Sequence, residues 1–324
     1  VRSLGQLLEP ASVIGQEIYL LPPAFEIPGH IQSLVSKEHT LNPFDPGRIF
    51  LVIHTPERDS GSAVKIYVPL PEESTQVTLQ VAISGKSMEG AEKNLQSDSR
   101  IFETVRQETH EEWERRLGKI EVKGGTKEEK RIFYTALYHC YTSPYLWSDV
   151  DDSNTYYTVF SLWDTYRALH PLMMLLEPQI SEDWIKTMLM HFNTHGELTM
   201  WELHGHETHC MIGYHACPVI LDAYQHHLLD SWPTQRLDSL LQAMVATSNR
   251  TPAHQTYGEQ GYLDSQEDNE SVSKTLEYAY DDWCIAQYAR AIGNDSIYHI
   301  YIRRSQSWQN VMDSDGFMHA RRNG

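Results

Sequence analysis

The chain has 324 residues, 40% hydrophobic and 22% charged, and its 44 acids against 26 Lys and Arg give a formal net charge of -18. That length suits one large domain or two unequal ones. The acidic balance argues against nucleic acid or an anionic membrane as partner, since both attract basic patches, and is compatible with a neutral ligand such as a sugar.

Cys140, Cys210, Cys217 and Cys284 are irregularly spaced with no C-x-x-C, which reads as mostly buried thiols rather than a disulfide framework. No run is apolar enough to span a bilayer. Val1-Arg2-Ser3-Leu4 opens no signal peptide, because no long apolar core follows. A chain that lacks an initiating Met and ends at Asn323-Gly324 reads as a processed or partial polypeptide.

From the start to about Glu103 the sequence reads as β. Ile49–His54 and Ala63–Val68 are β-branched runs, and Gln76–Ile83 alternates with period two. Asp45-Pro46-Gly47 and Asp59-Ser60-Gly61 supply turns between them. An antiparallel sandwich over residues 1–103 is the economical expectation. A charged helix, Arg106–Leu117, follows as a connector within residues 104–125, and Gly124-Gly125 marks a boundary.

Residues 126–324 read as helix after helix. Apolar residues recur at three- and four-residue steps in Lys127–Tyr141, Trp163–Leu176, Ser181–Asn193, His215–His227, Gln235–Thr247, Ser271–Ile292 and Ser296–Asp313. Helices in series with aromatic, His-rich and acidic loops suggest an α-toroid whose loops build a site at one end.

Four clusters carry chemistry. In Ser143–Asp152, Tyr145, Trp147, Asp149 and Asp151 combine aromatic faces with carboxylates. A pyranose needs both, one for its CH face and the other for paired hydroxyls. In Tyr156–Arg167, Trp163 and Asp164 sit where an extended run becomes helix. Asp164 is either a helix cap or a sugar ligand beside a stacking Trp, and Arg167, three positions on, is spaced to pair with it. In Met200–His215, Glu202, His204, His206, Glu207, His209 and Cys210 crowd together. Zinc, a Glu202/Glu207 acid–base pair and a polar pocket-lining loop all remain open, although His206-Glu207-Thr208-His209 lacks the four-residue His spacing of HExxH. In Asp268–Trp283, Glu277, Asp281 and Asp282 recur at near-helical steps. No phosphate loop, nucleophile elbow or dinucleotide fingerprint occurs.

Several strings together resemble glycoside hydrolase family 92. They are Arg131–His139, Ser148–Asp151, Tyr157–Thr165, Met200–Leu203, Cys210–His215 and Glu270–Trp283, in the family's order, and the likeness runs from about Ser87 onward. The resemblance implies a β-sandwich joined to an (α/α)6 barrel, and exo-hydrolysis of α-linked mannose from glycans with inversion. Inversion pairs a carboxylic acid with a carboxylate base about 6.5–9.5 Å apart. The resemblance also implies calcium, a hard, oxygen-seeking ion, holding the mannose hydroxyls.

Position by position, the family's sugar-binding Trp-Asp pair falls on Trp163 and Asp164, and Glu202 and Glu207 are expected to line or support the pocket. The strings that carry the family's acid, base, His-His pair and most calcium ligands do not occur in these residues. They are expected beyond Gly324, with this chain part of a longer or associated polypeptide, extracellular or in the cell envelope. The competing expectations are a non-catalytic carbohydrate-binding relative and a helical interaction scaffold.

Overall fold

A computed structural model describes residues 17–21, 48–54, 65–69 and 78–323. By their internal contacts the residues form two compact units, Val1–Glu111 with Asp149–Asp152, and Glu112–Ser148 with Ser153–Gly324.

In the first unit, β1 (Glu17–Leu21) pairs with β3 (Lys65–Pro69) and β2 (Arg48–His54) pairs with β4 (Thr78–Ser84), both in parallel. The antiparallel pairing expected from the sequence is therefore corrected for the described strands. Alternation marks where a strand lies but not its partner, and parallel neighbours need a crossover connection. Here the connection passes through the intervening strand. The turns Asp45–Gly47 and Asp59–Gly61, and the sandwich as a whole, lie outside the described residues.

A helix, α1 (Met88–Ser97), stands where the sequence reads as β, capped by Ser87, whose Oγ accepts from Gly90 N at 3.0 Å. Asn94 of α1 donates to Asp149 Oδ1 at 2.8 Å, and Ser84 Oγ donates to Asp149 Oδ2 at 2.7 Å. The next helix, α2 (Phe102–Leu117), starts earlier than expected and buries none of its residues.

The second unit is mostly helical. A capping box of Thr126 and Glu129 starts α3 (Lys127–Cys140). Short strands β5 (Tyr145–Leu146), β6 (Tyr157–Thr158) and β7 (Phe160–Ser161) lead into α4 (Leu162–Thr165) and α5 (Leu169–Leu176). The single helix expected over Trp163–Leu176 is thus two. Pro171 has no N–H and its ring clashes with the carbonyl four residues back, so it is tolerated only in the first turn of a restarted helix.

Pro178 opens α6 (Pro178–His195) and Gly196, at φ 77°, closes it. The hairpin strands β8 (Trp201–Leu203) and β9 (His206–Glu207) precede α7 (Ala216–Gln225) and α8 (Thr234–Thr247). A helix the periodicity did not mark, α9 (Pro252–Gln260), is bounded by a Thr251 cap and by Gly261 at φ 77°. Then come α10 (Ser271–Ala291) and α11 (Asp295–Arg304), followed by a 3-10 turn at Ser307–Val311.

The core interleaves Trp184, Ile185 and Met188 of α6, Val219 and Ile220 of α7, Leu240 and Met244 of α8, and Ile285, Ala286 and Tyr288 of α10. Each large side chain buried this way stabilises by about 1.5–3 kcal/mol. α10 packs against α7, α8 and α11 and leaves Ser273, Tyr280, Trp283 and Arg290 exposed, and Asp281 and Asp282 are fully buried with its apolar residues. Cys217 and Cys284 are buried, Cys140 is half-buried and Cys210 is exposed, all as free thiols. Among the described residues no helix is long and apolar enough to cross a membrane.

Candidate active site

The site is built on a three-stranded sheet in the order β7-β8-β9. Phe160 pairs with Glu202 and Ser161 with Trp201, and Leu162 N donates to Met200 O at 2.9 Å, so the first turn of α4 hangs from β8. β8 and β9 join through His204 and Gly205, both left-handed at φ 51° and 82°, as a two-residue hairpin of right-handed twist requires.

Glu202 and Glu207 are both buried and both serve this scaffold. Glu202 accepts from Thr158 Oγ1 at 2.7 Å, Val159 N at 3.0 Å and Gly205 N. It thereby pins the strand entering α4 at Val159, a β-branched residue held at φ 64°. Burial pushes the Glu202 carboxyl above its ordinary range, against the pull of these hydrogen bonds. Glu207 accepts from the backbone N–H groups of Met200 (2.7 Å), Trp201 (3.1 Å), Thr208 (3.0 Å) and His209 (3.2 Å). Both carboxyl groups are thus engaged by the backbone that they brace.

Trp163 and Asp164 project from α4. The indole is half-buried, and the His215 ring stacks on it at 5.5 Å between centroids and 29° between planes. Tyr166 covers His215 at 4.4 Å. Asp164 is exposed, and its carboxylate has no partner among the described residues. It does not cap the helix: Ser161 occupies the N-cap position, without a side-chain bond. Nor does it pair with Arg167, which instead donates to the Trp163 carbonyl at 2.8 Å and to Glu277 Oε1 at 3.3 Å.

Behind the indole lies a network the sequence clusters did not bring together. His215 is fully buried, with Nδ1 2.7 Å from Asp281 Oδ1 and Nε2 3.3 Å from Glu277 Oε2, the second without hydrogen-bond alignment. The other Asp281 oxygen accepts from Tyr214 N at 2.7 Å. Asp282, next along α10, accepts from Tyr214 Oη at 2.7 Å and Arg304 Nε at 3.0 Å. Burial pushes its carboxyl up to about 7, opposed by the Arg304 charge. The only sequence signal for this joint was the four-residue step from Glu277 to Asp281.

The remaining candidates separate. Tyr145 and Trp147 lie around His204, with ring centroids 6.3 and 5.2 Å from it, whereas Asp149 and Asp151 belong to the first unit, where Lys93 pairs with Asp151 at 3.1 Å. His206 neighbours His195, and His209 Nε2 lies 3.5 Å from Glu197. The three histidines considered for zinc therefore face different partners. Among the described residues no group of three or more His, Cys, Asp or Glu is placed to hold a metal ion. The described His, Cys, Asp and Glu residues do not by themselves make a calcium site.

Residues 90–324 match the model of the glycosyl hydrolase family 92 catalytic domain. A family GH92 α-mannosidase from Bacteroides thetaiotaomicron superposes with a TM-score of 0.69 at 36% identity, covering 74% of this chain and 34% of that one. A family GH92 inverting mannosidase from the same organism gives a TM-score of 0.68 at 28% identity, over 74% and 35% of the two chains. An uncharacterized secreted glycosidase of Arthroderma benhamiae is 24% identical over 266 residues, 74% of this chain and 31% of its own length. The chain thus spans about a third of the length of these relatives.

Proposed function

Because the chain belongs to glycosyl hydrolase family 92, we propose that it is part of an inverting, calcium-dependent exo-α-mannosidase that releases terminal α-linked mannose from glycans. In this reading the second unit is the first part of an (α/α)6 barrel, and the first unit belongs to a β-sandwich domain.

The observation that carries the reading is the Trp163–Asp164 pair. A half-buried indole, backed by a fully buried imidazole, stands beside an exposed carboxylate that no described residue engages. A buried backing makes the ring a rigid face for the CH side of a pyranose. A carboxylate without donors among the described residues can accept from two neighbouring sugar hydroxyls. Glu202 and Glu207 support this wall from behind, through the hairpin.

The acid and the base are proposed to lie outside these 324 residues, since both buried glutamates are already engaged by the backbone that they brace. The calcium ligands are proposed to lie there too. The bound ion would supply a hard Lewis acid for the sugar hydroxyls, and no residue of this chain is assigned to it.

The test uses the complete gene product and 4-nitrophenyl α-mannoside. Turnover that stops with a chelator and returns with calcium, and release of β-mannose as the first anomer seen by NMR, are expected. No mannose release in the presence of calcium overturns the reading.

A further inference from the structure

Glu277 of α10 joins two separate supports of Trp163. Its Oε1 accepts from Arg167 Nη2 at 3.3 Å, and the same guanidinium holds the Trp163 carbonyl through Nη1 at 2.8 Å while lying over the Tyr166 ring at 4.5 Å. Its Oε2 faces Nε2 of His215, the ring stacked against the indole. One carboxylate therefore touches both what holds the backbone of Trp163 and what backs its side chain.

We propose that Glu277 is a positioning residue that fixes the angle at which Trp163 and Asp164 meet the sugar. The proposal rests on the sugar-holding reading of that pair. Asp281, one turn further along α10, holds the opposite edge of the same imidazole, but it is fully buried and also occupied by Tyr214 N, so it belongs to the core. Glu277 keeps 19% of its side-chain surface open, and Arg167 keeps 50%. Changes at this pair therefore alter alignment at the rim without opening a cavity.

The bond to Arg167 draws on the charge of the Glu277 carboxylate as well as on its oxygen. A glutamine in this place keeps the shape but offers one acceptor and one amide N–H group. It can still turn its oxygen to the Arg167 guanidinium, but without the charge that strengthens that bond. His215 Nε2 is buried and makes no aligned hydrogen bond, so its placement beside Glu277 is a contact rather than a directed bond.

The test measures E277Q, R167M and their double variant in the complete gene product with calcium, using 4-nitrophenyl α-mannoside as substrate and mannose as competitive inhibitor. A group that aligns a sugar equally before and during reaction raises KM and leaves kcat in place when removed. Each single variant is expected to raise KM and the mannose inhibition constant about tenfold, with kcat within about twofold and a thermal midpoint unchanged within a few degrees. Because both act through one joint, the double variant adds little to either single one.

A kcat that falls with the folded fraction at unchanged KM, or fully additive variants, overturns the positioning role while leaving the functional reading intact. A wild-type protein that neither turns over the mannoside nor is inhibited by mannose overturns the functional reading, and this proposal with it.

Discussion

Glu202 and Glu207 are cross-strand partners in the β8–β9 hairpin, yet each carboxylate turns to its own set of donors. Like charges directly opposite one another weaken a sheet. Here hydrogen bonds from Thr158, Val159 and Gly205 on one side, and from Met200, Trp201, Thr208 and His209 on the other, compensate for the pair. The hairpin and the strand entering α4 are therefore built around two buried carboxyl groups.

Replacing Glu202 by Ala leaves the Thr158 hydroxyl and the Val159 and Gly205 amides without their acceptor. Each buried donor left unpaired costs about 1–3 kcal/mol. Relaxation and entering water recover part of this, so a net loss of about 3 kcal/mol is expected by chemical denaturation. The damage is local to the entry of α4, so the proposed sugar binding at Trp163 and Asp164 is expected to fall together with stability. An unchanged denaturation midpoint would contradict the bracing role.

Gly213 has φ 90°, and a Cβ there would sit 2.7 Å from the His215 ring. A Gly213→Ala protein must shift either its backbone or the imidazole behind Trp163. The left-handed conformation alone costs an L-residue about 1–2 kcal/mol. The expected outcome is a loss of about 2–3 kcal/mol, with a weakened Trp163–His215 stack visible in the near-ultraviolet circular dichroism. An unchanged aromatic spectrum would mean that the backing ring is not held as tightly as the geometry implies.

How far the sequence led depended on whether a signal was local. α6, α8 and α10 have three- and four-residue apolar spacing, and the periodicity found α8 and α10 to within a residue and α6 to within three. α9 buries little beyond Tyr257, so periodicity passed over it, although Thr251, Pro252 and Gly261 frame it with ordinary start and stop signals. The parallel pairing of β1 with β3 is a choice of partner, which no alternation pattern encodes.

The same divide runs through the site. Trp163 and Asp164 were legible as a motif, but the His215–Asp281 contact joins residues 66 positions apart, and no local pattern contains it. The expected Asp164–Arg167 pair failed because α4 ends at Thr165. Beyond that end, the spacing rule for helical neighbours no longer applies, and the guanidinium is spent on the Trp163 carbonyl instead.

Asp282 predicts a pH dependence of stability. Burial raises its folded carboxyl to about 7 from an ordinary 3.8. Between those values the folded state holds a proton that the unfolded state has released, so this group's contribution is largest in acid and falls as pH rises toward 7. Compared with Asp282→Asn, which cannot titrate, the wild type should lose up to about 1.4 kcal/mol per pH unit across that window and level off above it. Denaturation of both proteins from pH 4 to 8 measures the difference. A gap that stays constant, or widens in favour of the wild type as pH rises, would rule out the raised value.

Asp164→Asn separates binding from folding. The carboxylate is exposed and no described residue hydrogen-bonds or ion-pairs with it, so the folded state does not depend on its charge, and stability should change by less than about 0.5 kcal/mol. An amide keeps one acceptor oxygen but replaces the other with a donor group. In the proposed sugar-holding role, two adjacent sugar hydroxyls then lose one of two charge-assisted hydrogen bonds, each worth about 1.5–3 kcal/mol. This predicts a fall in kcat/KM for an α-mannoside of about 10–100-fold, with the thermal midpoint in place. Full activity in Asp164→Asn would move the sugar-holding role to another carboxylate, and a loss of activity with a matching loss of stability would make Asp164 a structural residue after all.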